Sequence, residues 1–445
     1  MPLAEGDTLT GEHGATYLAV SPLGQANVWT AVENGTNDVV VVKEPDANDA
    51  ARGFPTFQNE MVMHELLKDS SGVRQQRDRI PSTAPGEPPM LVLEITSTTL
   101  WSARAERPFA LREIKRITRD ALIGLRDVHA RGLVYADLKM QNIMLDGFDA
   151  DRPASASGKS PLQASLGDLG IVMEPMKGTV QPVSYRAPEV YFKADIGPAA
   201  DIWGWGLIYC HLLEARDNFQ NTGMYDTPSG SLEERETATS EALANDYGLH
   251  SDPSYSGIAL PRNDADKHTG DQWEVLRQRG VEAGEVDFLR WVLRANPAER
   301  PSAAQILSSG WLDRTDGDVS QGFVPPANGT LAYDSKGAVQ EDQARPVPQT
   351  EARPEQTSTQ SQTSPEATAQ PGVTQPIAAE PFAAQPVASQ PTTAQTVPAT
   401  GPSPYMAPPS SKFATTERVS SFSGEPGPGF FAGRPSPYAA KPPAT

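Results

Sequence analysis

Over the first hundred residues, apolar and polar positions alternate in short runs broken by turn formers. Residues 16–20 and 28–32 are β-prone stretches on either side of a turn. A third stretch, 39–43, follows the turn pairs Asn34-Gly35 and Asn37-Asp38. This reads as an antiparallel meander. Across 57–67 the spacing becomes helical, with apolar positions such as Met61 and Leu66 interleaved with Glu60 and Glu65. Two more strands, 73–80 and 90–95, flank a proline-rich loop at 81–89, so five strands and one helix make up a small first lobe, 16–95.

Beyond residue 95 the period lengthens. Residues 111–131 place Ile114, Ile117, Leu122, Leu125 and Val128 on one helical stripe that runs directly into a loop at 134–142. The polar, small-residue stretch 147–160 separates the apolar strand 143–145 from another at 165–166, and is read as an exposed hairpin extension. A loop-rich insertion, 219–271, carries one helical patch at 232–245. The expected class is α+β: a small antiparallel β lobe followed by a larger helical lobe, 96–313.

Composition changes after residue 313. All seven tryptophans lie between Trp29 and Trp311, whereas 22 of the 42 prolines follow residue 313 in a background of Ala, Gln, Thr and Ser. A segment so poor in large apolar residues cannot offset its ordering entropy, so 314–445 is expected to be a disordered C-terminal tail open to partners of its own. Residues 1–15 are taken as an N-terminal extension.

The formal charge of −19 divides into −16 before residue 314 and −3 after it. An acidic surface argues against nucleic acid, whose phosphates need a basic patch, and favours basic peptides. The single cysteine, Cys210, lies in an apolar run and is expected to be core. The six histidines do not cluster with it, so no structural zinc is expected. The start of the chain lacks the pattern of a signal peptide, and no stretch approaches the ~18 apolar residues of a membrane span. A soluble protein of cytoplasm or nucleus is expected.

The chemistry concentrates in Val134-Tyr135-Ala136-Asp137-Leu138-Lys139-Met140-Gln141-Asn142. An acid, a lysine two residues on and an asparagine five residues on suit phosphoryl transfer: proton acceptor, charge neutraliser and metal ligand. Downstream come Asp168-Leu169-Gly170, then Tyr185-Arg186-Ala187-Pro188-Glu189, Asp201 and Arg300; upstream, Lys43 ends a four-valine strand seventeen residues before Glu60. In this order, over about 16–313, the motifs resemble the signature of eukaryotic protein kinases, and Lys139 places the loop with the serine/threonine members. The Asp-Leu-Gly and Tyr-Arg-Ala-Pro-Glu runs look most like the branch holding the cyclin-dependent, mitogen-activated and SR-protein kinases.

The resemblance implies a two-lobed fold and transfer of the ATP γ-phosphate to serine or threonine of a protein substrate. Asp137 and Lys139 would be catalytic. Lys43, Glu60, Gly24 and Glu94 would contact ATP, and Asn142 and Asp168 would hold Mg²⁺. Glu189 with Arg300 would form a buried structural pair, and Asp201 would brace the catalytic loop.

Three departures stand out. The glycine-rich loop is reduced to Leu23-Gly24-Gln25-Ala26-Asn27-Val28-Trp29, the usual H-R-D is Tyr135-Ala136-Asp137, and Pro182 replaces a threonine that would bridge Asp137 and Lys139. If the segment is extended, Ser184 faces the same side as Pro182 and could take over that bridge. A scaffold that keeps the fold without efficient transfer is the alternative reading.

Overall fold

The computed structural model describes residues 3–46, 54–82, 88–153, 162–219, 223–226, 229–262, 271–314 and 322–326. The tail reading beyond 326, and half of the expected hairpin extension at 147–160 (residues 154–160), fall outside them.

The first lobe is a six-stranded antiparallel sheet in the order β1-β2-β3-β4-β6-β5. Its strands are β1 (Thr8–Thr10), β2 (Thr16–Leu23), β3 (Gln25–Glu33), β4 (Val39–Lys43), β5 (Gln76–Ile80) and β6 (Met90–Glu94), with helix α1 (Pro55–Leu66) between β4 and β5. Strand β1 corrects the reading of 1–15 as an extension, because Thr8, Leu9 and Thr10 pair with Leu18, Tyr17 and Thr16. Three residues are too few to show an alternating pattern. The turn that follows is anchored by buried Asp78, which accepts from the Tyr17 hydroxyl at 3.0 Å and lies 2.7 Å from His13 Nδ1.

Strand β5 starts at Gln76, three residues later than expected. The reason is a close crossing: a Cβ on Gly72 would sit 2.2 Å from the main-chain nitrogen of Gly124. Only glycine fits there, and residues 72–74 run instead beside Leu166, with Val73 bridged to it and Arg74 N–H donating to its carbonyl at 2.9 Å.

The second lobe contains α2 (Leu100–Ala103), α3 (Leu111–His129), α4 (Pro188–Lys193), α5 (Pro198–Glu214), α6 (Leu232–Asp246), α7 (Gln272–Gln278), α8 (Ala283–Val292) and α9 (Ala303–Ser308). A three-stranded sheet of β7 (Thr98–Thr99), β8 (Ile143–Asp146) and β9 (Gln163–Leu166) lies at the cleft, and β10 (Met176–Lys177) pairs with β11 (Asp195–Ile196). The amphipathic stripe of α3 is buried as its spacing predicts. Helix α5 is buried on every side except at Ala199, Cys210 included, which marks it as the centre of the lobe.

Around these helices pack Trp205, Tyr209, Phe288 and Trp311. Buried Glu285 accepts from Tyr209 Oη at 2.6 Å and Trp311 Nε1 at 2.8 Å and pairs with Lys115 at 3.1 Å. Phe323 joins this cluster, its ring 5.2 Å from Phe288 and Trp291 and 5.3 Å from Trp311. The folded lobe therefore extends past the expected boundary at 313. One aromatic in a polar stretch gives no periodic signal to read.

Candidate active site

Lys43 sits at the end of β4, where Val40, Val41 and Val42 are buried between β3 and β6 and fix the strand. Its Nζ lies 2.8 and 2.7 Å from the two carboxylate oxygens of Glu60 and 3.5 Å from Asp168 Oδ1. Glu65, the other candidate on α1, points to solvent and pairs with Lys68. Burial would pull the Lys43 ammonium down, but Glu60 and then Asp168 outweigh it and hold the group charged. Helix α1 is held inward by Asn59, whose Nδ2 donates to the carbonyls of Gly170 at 3.0 Å and Val172 at 2.8 Å. Nothing in the local sequence singles out Asn59.

The loop at 134–142 is built on Asp201, which is fully buried at the start of α5. It accepts from the N–H of Tyr135 at 2.7 Å and of Ala136 at 2.9 Å, and His129 Nε2 lies 2.9 Å away. These bonds hold Ala136 in the left-handed region at φ 65°, a conformation that costs a non-glycine residue free energy. The Tyr135 hydroxyl, wholly buried, donates to the carbonyl of Gly167, so the tyrosine ties the loop to the residue before Asp168.

Asp137 follows. Lys139 Nζ lies 2.8 Å from its Oδ2, and Asn142 Nδ2 donates to the same oxygen at 2.8 Å and to the Asp137 carbonyl at 2.9 Å. Burial raises Asp137 above the ordinary carboxylate range, with Asp168 adding to it against the pull of Lys139 and Asn142. Asp168 differs. Burial pushes it up, yet Lys43 and Lys139 prevail and leave it below the usual range, and its side chain is 46 % exposed. The sequence places all of Lys43, Glu60, Asp137, Lys139, Asn142 and Asp168 at one site, and the structure brings them together.

Gly24 forms the tip of a tight hairpin at φ 75°, with Leu23 paired to Gln25 across it and the register shifting before Leu23. Glu94 ends β6. Its Oε1 accepts the Gln75 N–H at 3.1 Å, and its main-chain oxygen accepts from Arg74 Nε at 2.8 Å and Nη2 at 2.7 Å.

Ser184 does not stand in for the missing threonine. Residues Val183–Tyr185 form a 3₁₀ turn, so the every-second-residue argument fails, and Ser184 Oγ is 3.5 Å from Asp226 Oδ1. Asp137 and Lys139 instead pair directly. Arg186 donates to the carbonyl of Gln181, a residue at φ 80°, and pairs with Glu236 of α6 at 2.7 Å. The insertion at 219–271 thus supplies both Asp226 and Glu236 to the segment after Asp168. Arg300 grips Glu189 with two bonds of 2.6 Å inside the lobe.

Among the described residues no group of three or more His, Cys, Asp or Glu could hold a metal, and no helix is long and apolar enough to cross a membrane. Asp168 and Asn142 are nevertheless hard oxygen ligands at one locus: Asp168 is ionised, and Asn142 uses its Nδ2 on Asp137, which leaves Oδ1 to coordinate. Two protein ligands completed by phosphate and water oxygens is the habit of Mg²⁺.

The family model described as "Protein kinase domain" matches residues 23–312, over half of the chain. The chain is 24% identical over 227 residues to the serine/threonine-protein kinase STE20 of Saccharomyces cerevisiae, covering 50% of this chain and 22% of that protein. It is 25% identical over 311 residues to the cell division control protein 2 homolog C of Antirrhinum majus, covering 65% of this chain and 93% of the relative. The chain thus spans about a fifth of the length of the STE20 proteins it matches.

Proposed function

Because the chain belongs to the protein kinase family, we propose that it transfers the γ-phosphate of ATP to serine or threonine hydroxyls of a protein substrate. The observation that carries this reading is the completed Lys43–Glu60 pair within reach of Asp168, beside an Asp137 whose carboxylate is poised above the ordinary range. Asp137 accepts the hydroxyl proton as the oxygen bonds to phosphorus and the bond to the ADP oxygen breaks; Lys139 offsets the charge on the moving phosphoryl group. Asp168 and Asn142 would hold Mg²⁺, which supplies charge neutralisation at the phosphates. Lys43 would contact the phosphates, the Gly24 hairpin would lie over them, and the end of β6 at Glu94 would border the purine. The net negative charge of the domain favours a basic substrate.

Pro182 and the single-glycine hairpin favour a second reading, a nucleotide-binding scaffold with little transfer. Incorporation of labelled phosphate into a degenerate peptide library, run beside Asp137→Ala, separates the two. Transfer that disappears in the variant selects the enzyme. No transfer by wild type, with an intact Mg²⁺-dependent thermal shift by ATP that Asp168→Ala abolishes, selects the scaffold.

A further inference from the structure

Arg74 is a half-buried cation close to the cleft that the transfer chemistry does not use. It follows Val73, whose bridge to Leu166 and main-chain bond from Arg74 itself fix this short segment against the strand leading to Asp168. Its guanidinium is aimed at one atom, the main-chain oxygen of Glu94, which takes both Nε and Nη2. A carbonyl oxygen has two lone pairs, and the arginine fork takes both. Two further groups of Glu94 are also engaged: its N–H donates to the Gln75 carbonyl at 3.1 Å and its Oε1 accepts the Gln75 N–H. Burial opposes the charge on Arg74, and Glu94 and Glu60 sustain it.

The consequence concerns the purine, and it rests on the reading above that places the base at the end of β6. Adenine carries an amino group at C6 and needs an acceptor there; guanine and hypoxanthine carry an oxygen and need a donor. At Glu94 the acceptor is already satisfied, and the group beside it is a guanidinium with five N–H bonds, only two of them used on that oxygen. We propose that Arg74 sets the base selectivity of this site, presenting a donor at the C6 edge so that 6-oxo purine triphosphates, GTP and ITP, serve on a par with ATP. Arg74 is here a specificity-determining residue: its side-chain hydrogen bonds go to the Glu94 oxygen, and its charge is felt at Glu60.

Equilibrium binding of ATP, ITP and GTP with Mg²⁺ to the full chain tests this independently of turnover. Inosine triphosphate confines the change to the C6–N1 edge: relative to ATP the C6 amino group becomes an oxygen and N1 gains a hydrogen, while the rest of the nucleotide is identical. Wild type should bind ITP within tenfold of ATP, and Arg74→Met, which uncaps the Glu94 oxygen, should raise the preference for ATP over ITP at least tenfold. Wild type binding ITP more than tenfold weaker than ATP, or a ratio that moves less than tenfold in a folded Arg74→Met, overturns the inference while leaving the kinase reading in place. Binding of none of the three nucleotides overturns both. If Arg74→Met does not fold, as judged by its unliganded melting curve, the wild-type ratio alone decides.

Discussion

Glu60→Gln is the sharpest test of how the cleft is held. It keeps the size of the side chain and removes only the charge that faces Lys43 across 2.7 to 2.8 Å. At an effective dielectric of about 20, that contact corresponds to roughly 6 kcal/mol of Coulomb attraction, and the longer one to Asp168 to roughly 5 kcal/mol. Desolvation consumes most of each, and removing one partner of a buried pair typically costs about 3–5 kcal/mol. Lys43 retains Asp168 at 3.5 Å, and the glutamine still offers a neutral acceptor, so the cost falls at or just below that range, about 2–3 kcal/mol. For a domain of this size that is a fall in Tm of about 5 °C.

The activity loss is expected to be larger than stability alone explains. Without Glu60 the ammonium is drawn to Asp168, the proposed metal ligand, and phosphate incorporation should fall at least tenfold, about 1.4 kcal/mol in the barrier. Glu65→Gln is the control, because Glu65 is exposed and pairs with Lys68 at the surface. It should leave melting temperature and incorporation unchanged. If Glu60→Gln matches wild type in both measurements, the Lys43–Glu60 pair neither braces the fold nor positions the lysine, and the argument for the site fails at its first residue.

Three other outcomes are expected. His64 is held neutral, lowered to about 3 by burial and by the charges of Lys43, Arg74 and Arg79, against the opposing pull of its hydrogen bond with the Arg74 main chain; the unfolded chain therefore binds the extra proton first, and stability should decline as pH falls below about 6.5, by up to about 2 kcal/mol at pH 5. Denaturant melts of wild type and His64→Gln between pH 7 and 5 check this, a shallower slope being expected for the variant. Phe323→Ala should cost about 3 kcal/mol in the same melts because its ring packs on Phe288, Trp291 and Trp311, whereas deleting 327–445 should leave Tm nearly unchanged. Thr179→Ala, and phosphatase treatment of the bacterially expressed wild type, should each retain most of the phosphate incorporation.

The candidate site was legible because each of its members sits in a run whose spacing suits the proposed chemistry: Asp137, Lys139 and Asn142 share one loop, and Lys43 ends a strand that four valines announce. Choosing Glu60 over Glu65 needed the phase of α1 against β4, which spacing does not supply. Arg74 lies in the polar run Arg74-Gln75-Gln76-Arg77-Asp78-Arg79, where its neighbours Arg77 and Arg79 meet Asp38 and Met61 O at the surface or edge, and only the crossing of Gly72 over Gly124 turns Arg74 toward Glu94. Ser184 misled because parity holds in extended chain and fails in a 3₁₀ turn. Strand β1 and Phe323 are each too short a signal to distinguish from a tail; β1 is fixed by the adjoining β2 and Phe323 by rings more than thirty residues back.

The missing arginine before Asp137 also becomes intelligible from the segment that would have contained its phosphate partner. Thr179 is exposed, and the two basic residues nearest it in the segment already have acids: Lys177 pairs with Asp195 across β10 and β11, and Arg186 pairs with Glu236 while donating to the Gln181 carbonyl. A phosphate on Thr179 would have to displace a carboxylate from one of these cations, exchanging one charge pair for another instead of satisfying an unpaired group. The work that phosphorylation does elsewhere, bringing charge to a basic cluster and so ordering a loop, is already done here by Glu236 on α6 and by the main-chain bridge between Val134 and Met173. An insertion whose purpose is obscure in sequence thus places a permanent carboxylate, Glu236, on the Arg186 of the segment after Asp168.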